Sequence, residues 1–448
     1  MKNSSKDTKP LSRREFLRRA GTLAAAAGAA PILTHFETPP SARAATAEVK
    51  KVQFYTNAWQ PGCVAAQQAG LDAFNKANPD IKAEYVQGDW GKAQDFITTS
   101  LAGGVAPEIM HGIAPWAIQY GIQGGYADLT ALIEGSDLKT DTHPRALDDA
   151  TAPFDHKIYS LPFSWEVGVL YVNADRFKEK GIPIPENGWT WDEFITAAQK
   201  LTDPPNYTGL AANLSATQTT EDLIAWMWQT GAEVMTEVGG QWKIDLEPAR
   251  PALQLWYDML WKYHITSEAS LSSGEADLPA AFAVGTSSML QTGCWARRVL
   301  IEAKPKFQWR MIALPHLKRS AQTDQTQTWG LASASKERGT MDAAWKVMQW
   351  MANKDNQIAG ALGDWLFPTR KSALADPQFD TTENDWHLAK AEVQNSKAYP
   401  KHPAWPEFDD KVLGPNIQRF LQKDLSLDDF ISKSTADGEK LLAKYAPK

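Results

Sequence analysis

The chain has 448 residues, of which 43% are hydrophobic and 22% are charged, and its formal net charge is −7 at pH 7. This length and composition predict a globular protein with two or more lobes. Residues 1–44 hold eight of the 46 Lys and Arg and three of the 53 Asp and Glu, so a chain without them has a net charge near −12. Such an acidic protein is not expected to bind nucleic acid or an anionic membrane surface.

The first 44 residues are typical of an export signal. The stretch SRREFLRRAGTLAAAAGAAPIL contains the pair Arg13 and Arg14, followed by a short run rich in Ala and Gly, and it resembles a twin-arginine signal peptide. An A-x-A site predicts cleavage near Ala44. The alternatives are an ordinary secretory signal or an uncleaved anchor, but no stretch reaches the ~18 apolar residues of a membrane span. No Cys lies near the cleavage site, so a lipid anchor is not expected.

Strand-like and helix-like stretches alternate from Lys50 onward. KVQFYTNAW predicts a strand, and VAAQQAGLDAFNKAN predicts a helix because Val64, Leu71 and Phe74 recur at helical spacing. The strand IKAEYVQGDW, the helix GKAQDFITTSLAGG, the strand PEIMHG and the helix PWAIQYGIQGG follow. This order predicts a mostly parallel sheet covered by helices, and ligands bind such sheets beyond the carboxyl ends of the strands.

A second series of elements begins with YSLPFSWEVGVLYVNADRF, which predicts a buried strand with Trp165 and Glu166 at its edge. Thr190 and Glu193 form a capping-box pattern that begins the next helix. Helices are predicted at TEDLIAWMWQTG, PARPALQLWYDMLWKY and GTMDAAWKVMQWMAN, with strands at WRMIALPH and TWGLASAS, and AAFAVGTSSMLQTGCWARRVL predicts helix, strand and helix. The tail from Asn416 predicts two helices separated by the turn DLSLDD.

The common catalytic and metal-binding patterns do not occur in the sequence. We find no H-E-x-x-H, C-x-x-C, nucleotide-binding glycine loop or nucleophile elbow, so no metal, cofactor or catalytic residue is predicted. Two carboxylates could form a glycosidase pair, but their separation cannot be read from sequence. Cys63 and Cys294 are expected to be small buried side chains, since two distant cysteines do not make a disulfide framework.

Six stretches occur in an order that resembles one known family. They are FNKANPDIKAEYVQGDW, SLAGGVAPEIMHG, DHKIYSLPFSWEVGVLYVNADRFKEKGI with NGWTWDEF, AFAVGTSSMLQTGCW, ALPH with TWGLASASKERGTMDAAWKVMQWM, and GDWLFPTRKSA. In this order they resemble the extracellular solute-binding proteins of ABC importers, in the carbohydrate-uptake branch typified by maltose-binding protein. Thr286 stands at the family's lysine position and Val172 at its tyrosine position, so the resemblance does not transfer a particular sugar.

The resemblance implies an α/β, type II periplasmic-binding-protein fold, in which a hinge links two lobes with parallel or mixed sheets flanked by helices. On this basis we place the first lobe at 48–161 plus 316–364 and the second at 162–315 plus 365–448. The implied function is a periplasmic, monomeric, non-enzymatic protein that captures a di- or oligosaccharide between the lobes and delivers it to an ABC permease. The alternatives are a polyol, an anionic sugar derivative such as a uronate or sugar phosphate, and, less favoured, an exported glycan-active enzyme. Arg297, Arg298, Arg370 and Lys371 would discriminate an anionic ligand.

A sugar site needs aromatic rings for the C–H faces and planar polar side chains for the hydroxyl groups. Residues of these types at strand ends and at the expected crossings between lobes give the candidate set Asn57, Trp59, Gln60, Asp89, Trp90, His111, Trp116, Trp165, Glu166, Trp295, Arg297, Trp329, Gly330 and Trp365. For Trp59 the alternative is a surface aromatic residue, and for His111 it is a structural histidine. Trp226, Trp228 and Trp256 lie at helical spacing and are expected to pack in the core.

The neighbours Trp165 and Glu166 are expected to face the cleft together. Replacing either residue by Ala is then expected to weaken binding with little loss of stability.

Overall fold

A computed structural model describes residues 49–445, except 187, 218, 275 and 318–320. The predicted twin-arginine signal at 1–44 lies outside the described residues. Within the described part of the chain, no helix combines the length and the apolar character needed to cross a membrane.

Two sheets share one long strand. The strands of the described residues are β1 (Lys50–Thr56), β2 (Ile81–Gln87), β3 (Ile109–Ile113), β4 (Ser160–Asn173), β5 (Thr208–Ala211), β6 (Val234–Val238), β7 (Gln241–Asp245), β8 (Ser287–Gly293), β9 (Trp309–Ile312), β10 (Thr323–Leu331), β11 (Phe367–Pro368) and β12 (Lys397–Ala398). The main order is β2-β1-β3-β10-β4-β8-β5. The first half of β4 pairs with β10, and the second half pairs with β8 and β9. The chain therefore passes from the first sheet to the second within β4.

The sheets are mixed rather than mostly parallel. Strand β1 is parallel to β2 and β3, as predicted, because helices connect these strands. Strand β10 is antiparallel to both β3 and β4. It enters the first sheet from the second half of the chain, so the β-α-β rule that gives parallel neighbours does not apply to it.

Helices cover both sheets. Those of the described residues are α1 (Pro61–Ala77), α2 (Trp90–Gly103), α3 (Ala114–Ile122), α4 (Thr130–Glu134), α5 (Leu138–Asp141), α6 (Pro144–Asp149), α7 (Ala174–Glu179), α8 (Trp191–Lys200), α9 (Thr219–Gln229), α10 (Arg250–Trp261), α11 (Asp277–Ala283), α12 (Ala296–Ala303), α13 (Met341–Met351), α14 (Lys354–Asp364), α15 (Lys371–Leu374), α16 (Trp386–Asn395), α17 (Trp405–Phe408), α18 (Gly414–Leu421) and α19 (Leu427–Lys444). Short 3₁₀ turns lie at Glu247–Ala249, Glu268–Leu271, Ser333–Ser335, Pro377–Asp380 and Glu383–Asp385, and a π-helical turn lies at Asp409–Leu413. The predicted capping box is present, since the Thr190 side chain accepts from the Glu193 N–H and Glu193 accepts from the Thr190 N–H.

The core contains the tryptophans predicted to pack there. Trp226, Trp228 and Trp256 are fully buried, and the Trp226 and Trp256 rings meet edge to face at 5.5 Å. Cys63 and Cys294 are both buried and free, as expected.

The hairpin of β6 and β7 is absent from the predicted elements. Its turn is formed by Gly239 and Gly240, which have φ angles of 61° and 80°. Glycine adopts these positive angles without the steric cost that a Cβ atom brings. The Gly-Gly pair between two short alternating stretches was therefore a usable hairpin signal.

Candidate functional site

A cavity of about 270 Å³ lies beside the place where β4 leaves the first sheet. Its lining comes from the chain after β1, from α2 and α3, from the middle of β4 and β10, and from the beginning of α9. The end of α14 and the segment around the π-helical turn complete it. We refer to this cavity as the cleft.

One group of lining residues carries aromatic rings and amides, and we call it the aromatic wall: Trp59, Gln60, Trp90, Gln94 and Trp116. These residues follow β1 directly or lie in the first turns of α2 and α3, so the carboxyl ends of neighbouring strands bring them together. The Trp59 side chain is 45% exposed. Trp90 meets Trp116 edge to face, with ring centroids 6.1 Å apart.

A second group of lining residues carries carboxyl groups, and we call it the acidic wall: Glu166, Glu221, Asp364, Asp409 and Asp410. They come from β4, the first turn of α9, the last residue of α14 and the π-helical turn. The exposed carboxylate of Asp95 also lines the cleft. No Lys, Arg or His belongs to the described lining residues.

Burial raises the pKa of three carboxyl groups in the acidic wall. Burial, and then the charge of Glu166, raises the pKa of Glu221 well above its usual range, and the two carboxyl groups share a hydrogen bond. Burial raises the pKa of Asp409 to about 6, against the lowering effect of a hydrogen bond from Thr220. Burial likewise raises the pKa of Asp364 to about 7, which the Cys63 thiol and the charge of Arg298 partly oppose. Burial therefore favours the protonated form of these carboxyl groups, which can both donate and accept hydrogen bonds.

Gln60 and Trp295 join the two walls and leave two polar atoms without partners. The Gln60 Nε2 group donates to the carbonyl oxygens of Trp295 (3.2 Å) and Asp364 (3.4 Å). Among the residues that the structure describes, the Gln60 Oε1 atom and the Trp295 Nε1 group have no hydrogen-bond partner, although these side chains are only 1% and 4% exposed. Unpaired buried polar atoms are costly, so the cleft presents one free acceptor and one free donor to a ligand.

A glycine lets the carboxylate and the indole approach the same point. A Cβ atom on Gly293 would lie 2.1 Å from Glu166 Oε1 and 2.5 Å from Trp295 Nε1, distances that no side chain tolerates. The ring of Trp295 also meets that of Trp59 edge to face, with centroids 5.6 Å apart. Glu166, Trp295 and Trp59 are thus neighbours in the lining of the cleft.

His111 does not line the cleft but orients a residue that does. Its Nδ1 atom accepts from the backbone N–H of Asn57 (3.1 Å), so the proton lies on Nε2, which is 3.2 Å from Gln327 Oε1. Burial lowers the pKa of His111 to about 3 and keeps the ring neutral. Gln327 lines the cleft and is held by this bond. His111 is therefore a structural histidine, which is the alternative that the sequence left open.

Trp165 lies in the core, on the opposite face of β4 from Glu166. Its indole N–H donates to Thr326 Oγ1 (2.9 Å), and that hydroxyl donates to Asp149 Oδ2 (2.6 Å). The side chain is fully buried, whereas Glu166 lines the cleft. Successive strand residues point to opposite faces. The expectation from sequence that Trp165 and Glu166 face the cleft together is therefore wrong for Trp165.

Trp329, Gly330 and Asn57 are also packed away from the cleft. The Trp329 ring stacks on Phe163, with centroids 4.0 Å apart and planes 6° apart. A Cβ on Gly330 would lie 2.0 Å from the ring of Tyr126, so this position is set by packing. The buried side chain of Asn57 donates to the carbonyl oxygen of His111 (3.0 Å).

Arg297 and Trp365 form a cluster outside the cleft. The Arg297 guanidinium is fully buried, 3.6 Å from the ring centroid of Trp365 and 5.3 Å from that of Trp386. Its Nη2 group donates to the Glu383 carboxylate (3.3 Å). The arrangement binds the protein's own aromatic rings and carboxylate rather than a ligand in the cleft.

Four further residues named from the sequence also lie outside the lining of the cleft: Arg298, Arg370, Lys371 and Asp89. Arg298 pairs with Glu302 (2.7 Å), and Arg370 pairs with Asp137 and Asp141. Lys371 is exposed and is not a lining residue. Asp89 is the exposed N-cap of α2, where its side chain accepts from the Gly91 N–H.

The cleft thus brings together six of the sequence candidates and many residues outside the candidate set. The six are Trp59, Gln60, Trp90, Trp116, Glu166 and Trp295. The additional lining residues are Gly91, Gln94, Asp95, Ile113, Thr217, Thr220, Glu221, Gln325, Gln327, Asp364, Leu366, Tyr399, Pro406, Asp409 and Asp410. Gln325 and Gln327 alternate along β10 but precede the predicted strand TWGLASAS, which begins at Thr328. Glu221 and Asp409 had no comparable signal.

The carboxylates do not form a metal centre. Within the part of the chain that the structure describes, no group of three or more His, Cys, Asp or Glu is arranged to hold a metal ion.

Two sheets joined by a crossing strand, with a polar and aromatic cleft beside the crossing, define a two-lobed binding protein. The family profile described as "Bacterial extracellular solute-binding protein" matches residues 61–358. The chain belongs to this family.

Comparisons with individual proteins agree with this assignment. An uncharacterized lipoprotein from the oleD 5′ region of Streptomyces antibioticus is 30% identical over 393 residues, 82% of each chain. Maltose-bound MalE3 of T. maritima has a similar structure, with a TM-score of 0.78 and 21% identity over 87% of this chain and 99% of that one. An ABC substrate-binding protein from Listeria monocytogenes in complex with cycloalternan has a TM-score of 0.76. It is 23% identical, and the match covers 88% of this chain and 99% of that one. The family and the lipoprotein relative indicate an exported protein whose fold is that of binding proteins rather than enzymes.

Proposed function

We propose that this protein captures a carbohydrate in the cleft and delivers it to the permease of an ABC importer, without catalysing a reaction. The observation that carries the proposal is the pairing of the two walls. The tryptophan rings of the lining suit the C–H faces of a sugar, while its amides and carboxyl groups suit the hydroxyl groups. The Gln60 Oε1 and Trp295 Nε1 atoms, which lack partners among the described residues, suit a ligand that both donates and accepts hydrogen bonds.

The size and chemistry of the cleft are consistent with this role. A cavity of about 270 Å³ accommodates a sugar of a few rings at most. Two or three stacked aromatic rings and several hydrogen bonds, each contributing ~1 kcal/mol, support micromolar binding, about −8 kcal/mol. The sugar-bound relatives of similar fold support the same ligand class.

An anionic ligand is not favoured by the cleft. Its described lining contains six carboxylates and no cationic side chain. Arg297 and Arg370, which would have discriminated a uronate or a sugar phosphate, are buried against partners outside the cleft. A carboxylate or phosphate would be repelled there.

A glycosidase role is also poorly supported by the best candidate pair of acids. Glu166 and Glu221 are close enough to share a hydrogen bond. Retaining glycosidases hold their two carboxyl groups about 5–5.5 Å apart, and inverting enzymes hold them farther apart. The pair is better suited to binding than to catalysis.

The finer details complete the proposal. We place the two lobes at 48–161 plus 316–364 and 162–315 plus 365–448, with the ligand bridging them. Export by the twin-arginine pathway to the periplasm, cleavage near Ala44 and action as a monomer are parts of the same proposal. In this view closure follows because only the closed state makes contacts with both walls.

A ligand screen tests the proposed function. Purified protein is examined by thermal shift and tryptophan fluorescence against mono-, di- and oligosaccharides, amino sugars, sugar acids, sugar phosphates and polyols. At least one carbohydrate is expected to raise the melting temperature and change the fluorescence. A response to phosphate esters alone would contradict the proposal.

A further inference from the structure

We propose that a small chamber beside the cleft binds one or two ordered water molecules, which hydrogen-bond to buried side chains of four different elements. The chamber has a volume of about 20 Å³ and is lined by residues of α1, β4, β10 and α14. Its lining includes Gln67, Ser164, Trp329, Gln357 and Asp364. Asp364 also lines the cleft, so the water site adjoins the proposed carbohydrate site through this residue.

Polar atoms without partners are concentrated in the lining of the chamber. Among the residues that the structure describes, five of its buried atoms have no hydrogen-bond partner: Gln67 Oε1, Ser164 Oγ, Trp329 Nε1, Gln357 Nε2 and Asp364 Oδ1. The first four of these side chains are at most 5% exposed. A buried polar atom without a partner costs free energy, and native proteins leave few of them. The five atoms around one cavity therefore point to a polar ligand inside it.

Contacts outside the chamber fix the direction of its two amides. Gln357 Oε1 accepts from the backbone N–H of Arg370 (3.0 Å), so its Nε2 group is left as a donor. Gln67 Nε2 donates to Cys63 Sγ (3.5 Å), so its Oε1 atom is left as an acceptor. With the indole N–H of Trp329, the chamber thus presents two donors and one fixed acceptor. The remaining hydroxyl and carboxyl oxygens can accept as well.

The walls of the chamber are held apart by packing around it. A Cβ atom on Gly363 would lie 2.5 Å from the backbone nitrogen of Cys63, so α14 and α1 already touch beside the chamber. The Trp329 ring is stacked on Phe163, with centroids 4.0 Å apart. The unpaired atoms therefore cannot meet one another by a simple closing of the walls, and a bridging molecule can pair them.

Water matches the chamber in both size and hydrogen bonding. A cavity needs roughly 10–15 Å³ to hold one water molecule, and a buried water makes two to four hydrogen bonds. The volume of about 20 Å³ admits one or two such molecules and excludes a sugar ring. A cation accepts no hydrogen bond from the indole and amide N–H groups, and the carboxyl group of Asp364 disfavours an anion. A water molecule both accepts and donates, as this lining requires.

A crystal structure of the ligand-free protein at about 1.5 Å resolution tests the site directly. We expect an ordered water molecule in the chamber, at hydrogen-bond distance (about 2.7–3.2 Å) from at least two of the five atoms. A chamber without electron density overturns the inference. Side chains that fill the space and pair with one another would overturn it as well.

The sign of a stability change gives a second test in solution. If water pairs the Ser164 hydroxyl, Ser164→Ala removes a hydrogen bond and should lower the melting temperature of the ligand-free protein by about 1–2 °C. If the chamber is dry, the same variant removes an unpaired polar atom and raises the melting temperature. Differential scanning calorimetry measures this shift. A raised or unchanged melting temperature contradicts the inference.

Ser160→Ala is the matched control. Ser160 lies on the same strand, and its buried hydroxyl also lacks a partner among the described residues, but it does not line the chamber. Its removal should not lower the melting temperature. Equal losses in both serine variants would show that the effect of Ser164→Ala does not come from the chamber, and would overturn the inference.

Both measurements use the protein without a carbohydrate, so they are independent of the proposed function. A dry chamber leaves the carbohydrate proposal intact. Conversely, a failed ligand screen leaves the water site to be judged by the crystal structure and the calorimetry.

Discussion

The two walls of the cleft differ in how the chain builds them. The aromatic wall consists of residues that directly follow strands or begin the next helix, such as Trp59, Trp90 and Trp116. The acidic wall collects Glu166, Glu221 and Asp409, which are far apart in the sequence and meet only in the folded protein. The aromatic wall follows from the order of neighbouring strands and helices. The acidic wall depends on tertiary contacts among β4, α9 and the π-helical turn. The aromatic groups of the cleft therefore arise from local structure, whereas its carboxyl groups are brought together by tertiary structure.

The largest expected effect separates the two faces of β4. Trp165→Ala should cost about 3–5 kcal/mol in unfolding free energy, because it empties a fully buried site and removes a hydrogen bond to Thr326. Urea unfolding measures this loss. Glu166→Gln is the matched variant on the cleft face and should change stability much less while weakening binding. Comparable losses of stability for both variants would contradict the assignment of the two faces.

Arg297 tests whether a buried cation outside the cleft matters for the ligand. Arg297→Ala should cost about 2–4 kcal/mol in unfolding free energy, because the side chain fills a fully buried site against Trp365 and Trp386. Denaturant unfolding and titration of the folded variant give the two quantities. Affinity for the carbohydrate should be unchanged. A selective loss of affinity with normal stability would return Arg297 to the site.

The aromatic wall is tested by its exposed member. Trp59→Ala should weaken carbohydrate binding roughly tenfold, because one stacked ring contributes about 0.5–1.5 kcal/mol beyond its buried area. The side chain is 45% exposed, so stability should hardly change. Phe96→Ala is the control, since that ring is 38% exposed, stacks on Tyr55 and does not line the cleft. Titrations that show equal affinity for both variants would remove Trp59 from the site.

The acidic wall makes a pH-dependent prediction. The pKa of Asp364 is raised to about 7 in the folded protein, so its stabilising contribution is present below the unfolded pKa of about 4 and is lost as pH rises to about 7. Asp364→Asn cannot lose a proton in this way. The melting temperature of the variant should therefore gain on that of the wild type between pH 5 and pH 8, by about 2–4 °C.

The quantity to measure is the difference in melting temperature between the wild type and Asp364→Asn as a function of pH. His111 and His402 have pKa values lowered by burial to about 3 and about 4. Their effect on stability has the opposite sign to that of Asp364. As pH falls below about 6.5 these histidines are protonated in the unfolded chain but not in the folded protein, which destabilises the fold. Both histidines are present in both proteins, so their effect cancels. A difference that stays constant with pH would show that Asp364 titrates normally.

Much of the fold could be predicted from sequence. The alternation along β1, α1, β2 and α2 is strongly periodic, and the capping box marks α8. The direction of β10 could not be predicted, because it depends on a partner strand in a distant part of the chain. For the site, strand-end aromatic residues were accessible to sequence reasoning. The prediction for Trp165 was wrong, because neighbouring residues of a strand point to opposite faces and Glu166 occupies the face toward the cleft. Glu221 and Asp409 carry no local signal that distinguishes them from surface acids.

A carbohydrate held by both walls contacts Trp59 and Glu221 at the same time. The most direct measurement is a fluorescence titration of wild type, Trp59→Ala, Glu221→Gln and the double variant with the tightest-binding carbohydrate of the screen. We predict that each single variant loses about tenfold in affinity and the double variant about a hundredfold, with folded protein in every case. Wild-type affinity in the double variant would contradict the claim.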